Sequence, residues 1–211
     1  MTNPGHKKAP GREDKALLEA ANIHAPFELM KFTLTYEGEL KASGNKPKPS
    51  CVWTIRRALH PQIADLFLTH PVLLDVIPED HYFSPINVKG FGFVPLVRRK
   101  LNMVCSIDIV FLRRMEGYGL IHQGGDIDNR LKTLFDGLRM PEKGDEVPEH
   151  EVQVEPMNTL LESDGLISGF SVKADKLLNG ESKSKHWVKL LIEVHISVTR
   201  VTMGNVSFLG D

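Results

Sequence analysis

Trp187-Val188-Lys189-Leu190-Leu191-Ile192-Glu193-Val194-His195-Ile196-Ser197-Val198 is the stretch on which the fold turns. Val188, Leu190, Ile192, Val194, Ile196 and Val198 take every second position, against Trp187, Lys189, Leu191, Glu193, His195 and Ser197. Successive side chains of a strand point to opposite faces, so this spacing predicts a half-buried β-strand over about 187–199. Met103, Cys105, Ile107, Ile109 and Phe111 repeat the pattern against Asn102, Val104, Ser106, Asp108 and Val110, which predicts a central strand near 101–112. Phe32, Leu34 and Tyr36 alternate with Lys31, Thr33, Thr35 and Glu37 and predict a first strand over 29–37. Leu166, Phe170 and Val172 predict another over 166–173.

Two segments carry helical spacing instead. Leu131, Leu134, Phe135 and Leu138 fall at i, i+3, i+4 and i+7, so a helix runs from about 128 to 139 and stops before Pro141. Pro61 suits a first helical position, Ile63, Leu66 and Phe67 supply a buried stripe, and His70-Pro71 ends a helix over 61–69. Prolines at 71, 78, 85 and 95 interrupt every pattern across 71–100, which reads mostly as loop. The expectation is an α+β single domain, a mixed β-sheet flanked by helices. Residues 1–25 read as a flexible N-terminal arm and 26–211 as the domain, with an acidic, exposed insertion at about 141–158.

Bulk properties narrow the class. A chain of 211 residues with 41% hydrophobic content is long enough to bury one full core. No apolar run reaches the roughly 20 residues of a spanning helix, and the polar N-terminus lacks a signal-peptide core, so a cytoplasmic protein with no membrane partner is expected. Cys51 and Cys105 sit apart in apolar contexts without redox or metal-finger spacing and read as small buried residues. The 26 Lys and Arg balance 27 Asp and Glu to a net charge of −1, so a uniformly basic nucleic-acid binder is excluded. A local cationic groove is not, and Lys46, Lys48, Arg56, Arg57 and Arg130 are its candidate phosphate contacts.

Chemistry concentrates in Asp126-Ile127-Asp128-Asn129-Arg130-Leu131-Lys132-Thr133-Leu134-Phe135-Asp136-Gly137-Leu138. Asp128, Lys132 and Asp136 are four residues apart and share one helical face, and Asp126 projects the same way if the chain is still extended there. Two carboxylates about 4 Å apart repel by roughly 4 kcal/mol at an effective dielectric near 20, unless a proton or a cation intervenes. An all-oxygen site with few protein ligands suits Mg²⁺ or Mn²⁺, which share phosphate oxygens with a substrate and make a bound water more acidic. Lys132 would offset the charge that builds on a phosphorane-like transition state. The plainer reading of the same residues is an N-cap with helix-surface ion pairs.

The pattern Asp126-x-Asp128-Asn129-x-x-Lys132-x-x-x-Asp136-x-Leu138 resembles the RusA family of Holliday-junction resolvases over 13 contiguous residues. That resemblance implies a homodimeric mixed α/β nuclease acting in DNA recombination and repair, which cuts branched DNA with Asp126 and Asp128 as metal ligands and Lys132 as the catalytic lysine. It also implies a third acid after the helix. Leu161-Glu162-Ser163-Asp164-Gly165-Leu166-Ile167 is the best match, which makes Asp164 that ligand, with Glu162 or Asp145 as substitutes. Ser163 replaces one acid of the family's pair, and the acidic insertion lengthens the connection. Ser43-Gly44-Asn45-Lys46 loosely resembles the family's Asn-rich loop after the first strand.

Rival motifs are weaker. Lys89-Gly90-Phe91-Gly92-Phe93-Val94-Pro95-Leu96 matches most of an RNA-recognition strand whose aromatics stack on bases, and the alternative is a non-catalytic nucleic-acid-binding protein, either a catalytically silent RusA relative or an RNA-recognition-type module using Phe91 and Phe93. Pro95 and Leu96 depart from that pattern. An EF-hand reading of Asp126 to Asn129 fails because Arg130 and Leu131 stand where an oxygen ligand and a glycine are needed. The nine histidines show no zinc spacing, and His122 is the one nearest the motif.

Overall fold

The computed structural model describes residues 27–42, 49–74, 82–113, 124–152, 155–178, 184, 186–202 and 205. The expected N-terminal arm, Lys46, Lys48 and His122 lie outside the described residues, as do the side chains of 124–126. In chain order the elements are β1 (Phe27–Glu39), α1 (Pro49–Thr69), the short α2 (Pro71–Leu74), β2 (Ile86–Val88), β3 (Phe91–Val97), β4 (Met103–Arg113), α3 (Gly124–Leu138), β5 (Met157–Leu161), β6 (Ile167–Lys176) and β7 (Trp187–Val198). The four strands expected from alternation all form. They make one mixed sheet of order β1-β7-β4-β6, and β2-β3-β5 make a second, smaller mixed sheet.

The period-two pattern of 187–198 works as read. Val188, Leu190, Ile192, Val194, Ile196 and Val198 are all buried, and β7 is a central strand with antiparallel neighbours on both sides. Leu131, Leu134 and Leu138 of α3 and Ile55, Leu59 and Ile63 of α1 fill the space against Ile107, Ile109, Phe111 and Ile192. Burying each such side chain contributes about 1.5–3 kcal/mol, so this face holds the helices on the sheet. A second cluster joins Trp53, Phe93, Met140 and Val147 under the smaller sheet.

Three expectations are corrected. The helix expected from Pro61 begins at Pro49 and carries Pro61 inside it. Val52, Ile55, Leu59 and Ile63 keep the helical spacing through that point, and Pro61 lies on the exposed side, where one missing backbone bond is tolerated. Residues 71–100 are not mostly loop: β2 and β3 form a hairpin across Lys89 and Gly90, both at positive φ. Pro95 fits because β2 ends opposite Phe93, leaving β5 as the ladder partner at that point. Finally, the 141–158 segment is not a free acidic loop. Val147 is buried, Glu146 is ion-paired with two arginines, and β5 begins at Met157.

Strand directions decide where the ends of α3 lie. β1, β4 and β6 run the same way and β7 runs against them. Gly38 and Arg113 both pair with Val188, and Arg113 pairs with Lys176, so these residues mark one end of the sheet. Cys105 paired with Ile167 and Met103 paired with Val198 mark the other. Arg130 of α3 reaches the first end by donating to the Leu40 carbonyl. Just past α3, the Met140 amide donates to Leu161, which leads toward the second end. Helix α3 therefore runs antiparallel to β4, starting near that strand's finish.

Helices α1 and α3 touch through Gly137. A Cβ there would stand 2.6 Å from Ile55 Cγ2 and 2.7 Å from Ile55 Cβ. The Ile55 branch point cannot rotate away. Alanine favours an isolated helix by about 1 kcal/mol over glycine, but this overlap forces the two helices apart. Gly137→Ala is accordingly expected to lower the unfolding free energy by about 1–3 kcal/mol, and urea denaturation gives the sign.

Candidate functional site

The first half of α3 carries the candidate catalytic face. The helix includes Asp126 in its backbone, and Asp128 and Lys132 are exposed one turn apart. Around the same helix, Ile127 and Leu131 pack into the core, so the Asp128 face is held toward the surface by apolar residues on the other side. Asp126 was expected on extended chain just before the helix; it falls inside, two residues from Asp128.

Two buried groups fix this part of α3 to the end of β1. Arg130, 4% exposed, donates from Nη1 to the Leu40 carbonyl at 2.8 Å and from Nη2 to His186 Nδ1 at 3.3 Å. Thr133 Oγ1 donates to the Lys41 carbonyl at 3.2 Å. Residues 130 and 133 lie about 200° and 140° round the helix from 128, so the end of β1 is tied to the side of α3 away from Asp128. A cleft of about 470 Å³ opens between the end of β1 and the start of α1, lined by Tyr36, Lys41, Ser50, Cys51, Thr54 and Trp187 among others and by no described residue of α3. Within it Lys41 pairs with Glu39 at 2.8 Å, and that pairing lowers the Glu39 pKa.

Asp136 does not join this face. Its carboxylate accepts from Arg139 Nη2 at 2.7 Å and Nε at 3.1 Å, at the far end of the helix. Arg139 also donates to Glu146 at 3.0 Å, and Arg56 donates to the backbone carbonyls of Arg139 (2.9 Å) and Asp136 (2.8 Å). Arg56 is 1% exposed. Burial pushes its pKa down to about 10, with Glu146 opposing the shift, so the group stays charged at neutral pH.

Those contacts correct two expected phosphate ligands. Arg56 and Arg130 are buried and committed to carbonyl oxygens, so neither reaches a nucleic-acid backbone. Their work is structural: each closes a junction between elements far apart in sequence. Arg57 is exposed and ion-paired with Glu151. Of the two cysteines, Cys105 is buried and its thiol is pushed up to about 12 by that burial, whereas Cys51 is half-buried at the cleft.

Asp164 lies in a single 3₁₀ turn, Asp164–Leu166, whose Ser163 side chain accepts from the Gly165 amide. The turn leads directly into β6 at the Cys105 end of the sheet and follows Leu161, the partner of Met140. Asp128 and Leu138 are separated by about 15 Å of helix at 1.5 Å per residue. Carboxylates sharing one ion at about 2.1 Å must come within roughly 4–5 Å of each other. Asp164, expected as third ligand, is therefore at the opposite end of α3 from Asp128 and does not share an ion with it in this chain. Glu162 is no nearer, since it accepts from the Arg99 amide at 3.0 Å. Asp145 sits in the Gly144–Glu146 turn beside the Arg139 network.

The aromatic pair behind the RNA-recognition reading is turned inward. Phe93 is fully buried, and Phe91 and Phe93 both stand edge-on to Trp53, at 5.9 and 6.1 Å between ring centroids. A base cannot stack on the enclosed Phe93, whereas Phe91 is half-buried.

One grouping was not read from the sequence. Among the described residues, the trio of potential ligands whose donor atoms lie within 4.8 Å of one another is Asp108, Glu193 and His195, on the sheet face away from α3. All three occupy polar positions of alternating strands. Which polar position meets which across two strands depends on register, and that is fixed only by pairing.

No family model, curated protein or solved structure matches the chain.

A structural role for the buried arginines makes a prediction that a phosphate-binding role does not. Arg56→Ala and Arg130→Ala should each lower unfolding free energy by about 2–4 kcal/mol, because buried carbonyls lose their donors. Arg57→Ala should change it by no more than about 0.5 kcal/mol. Urea denaturation of the three variants tests this.

Proposed function

We propose that the chain is a Mg²⁺-dependent, structure-selective DNA endonuclease that hydrolyses phosphodiester bonds at Holliday junctions or related branched DNA. The observation that carries the reading is the placement of Asp128 and Lys132. They stand one turn apart on the exposed face of a helix that begins near the sheet end where β1 and β4 finish. The spacing of Asp126, Asp128, Asn129, Lys132, Asp136 and Leu138 and its resemblance to RusA resolvases give the substrate class.

In this reading Asp126 and Asp128 would hold the ion; both lie inside α3, where residues two apart point about 200° apart, so the pair grips one ion only if the first turn of the helix opens. Bound there, Mg²⁺ or Mn²⁺ would polarise the scissile phosphate and supply an acidified water. Lys132 brings positive charge to the same face and offsets charge gathering on the phosphate oxygens. Lys46, Lys48 and Arg57 contact flanking phosphates, with Arg57 exchanging Glu151 for the DNA backbone. The proposal includes a homodimer, because symmetric cuts in a four-way junction call for two-fold related sites. No described helix is long and apolar enough to cross a membrane.

A second reading, binding of branched DNA without cleavage, is favoured by one observation. Asp164 lies at the other end of α3, so the later segment supplies no third acid to Asp126 and Asp128. Incubating the protein with labelled four-way DNA separates the readings. Cleavage in Mg²⁺ should yield paired nicks, and Asp128→Asn or Lys132→Ala should slow it by about 10²–10³-fold while binding persists. Asp164→Asn should stay within about threefold of wild type. Binding with no nicks in Mg²⁺ or Mn²⁺ supports the silent relative, and no binding at all removes both.

A further inference from the structure

Helices α1 and α3 occupy the apolar face of the larger sheet, whereas the other face bears a compact set of donors. Asp108 of β4 pairs in register with Glu193 of β7, and Ser106 pairs with His195, so Asp108, Glu193 and His195 project side by side from two hydrogen-bonded strands. His195 Nε2 lies 3.1 Å from Glu193 Oε1 and 3.7 Å from Asp108 Oδ2. We propose that these three residues form a binding site for a divalent transition ion of the zinc type, distinct from the start of α3.

The distances suit that class of ion. Zinc bound by imidazole nitrogen and carboxylate oxygen at about 2.0–2.2 Å in a tetrahedron sets its ligand atoms roughly 3.4 Å apart. The two observed separations bracket this value. An imidazole in the set selects against Mg²⁺ and Ca²⁺, which take oxygen, and toward zinc and its neighbours. A cleft of about 380 Å³, lined by Thr33, Ser171, Lys173 and Leu191 among others as well as by Asp108 and Glu193, leaves room for a fourth ligand from solvent.

Residues outside the trio orient its donors. Both ring nitrogens of His195 stand 3.1 Å from a carboxylate oxygen, Nδ1 from Glu28 Oε2 and Nε2 from Glu193 Oε1, and an ion at Nε2 would take the place of a proton there while Nδ1–H stays donated to Glu28. Metal-binding histidines are commonly fixed this way by a carboxylate on the second ring nitrogen. Ser171 donates to Asp108 Oδ1, which leaves Oδ2, the oxygen nearer His195, as the free donor. Lys31 pairs at 2.9 Å with Glu193 Oε1, the oxygen beside His195, which lowers the Glu193 pKa; an ion bound there would displace that ammonium.

The competing account is an ion-pair hub in which His195 is itself protonated, since hydrogen bonds to Glu28 and then Glu193 raise its pKa against the effect of burial. A hub of that kind holds no metal. Titrating the full chain with Zn²⁺ by isothermal calorimetry decides between the two. Wild type should bind a Zn²⁺ that His195→Ala does not, Asp108→Asn and Glu193→Gln should weaken it, and Glu28→Gln should weaken it by about 10-fold. Asp128→Asn should bind this Zn²⁺ as wild type does, which keeps the outcome separate from that of the nuclease assay. The proposal is overturned if wild type binds no Zn²⁺, if His195→Ala binds it equally well, or if Asp108→Asn and Glu193→Gln leave the affinity unchanged.

Discussion

The buried guanidinium of Arg130 decides which end of the protein the acidic start of α3 occupies. A charged group at 4% exposure is tolerable only when its donors are satisfied, and the Leu40 carbonyl and His186 Nδ1 supply two acceptors at the close of β1 and the approach to β7. Sliding α3 along the sheet would strand that charge, so register and direction of the helix are set together. Leucines on the same helix supply the attraction, but apolar contact is non-directional and would allow several placements. The arginine makes one of them far better than the rest.

The other end of α3 is closed by a second polar junction. Arg56 and Arg139 meet Asp136 and Glu146 where α1, the end of α3 and the segment before β5 converge. Gly137 permits the close approach of the two helices that brings Arg56 within reach. With both ends fastened, the acidic start of α3 and the Asp164 turn are held apart by the length of the helix. Function in this chain has to be reasoned from that separation, which assigns the proposed nuclease chemistry to Asp126, Asp128 and Lys132 and gives Asp164 no part in it.

Much of the fold was legible where one face of an element is uniformly apolar. The alternation in 187–198, 103–111 and 32–36 located three strands of the larger sheet, and the Leu131 to Leu138 stripe located α3. What stayed hidden depends on contacts between distant segments. Pro95 suits a strand only because β2 stops opposite Phe93, and the 141–158 segment reads as a free acidic loop until Arg56 and Arg139 are seen to neutralise Glu146. Arg56 and Arg130 look like surface cations in a one-dimensional reading, and nothing local marks them as buried. The Asp108, Glu193 and His195 trio is likewise a product of register between β4 and β7.

The separation of the two ends of α3 is open to direct measurement. Nitroxide labels at Asp128→Cys and Asp164→Cys, in a chain carrying Cys51→Ser and retaining the buried Cys105, report it by pulsed electron–electron double resonance. A single distribution centred beyond about 15 Å, the length of the intervening helix, is the expected result. A distribution short enough for the two side chains to meet around one ion would contradict the placement of α3 on which the site rests.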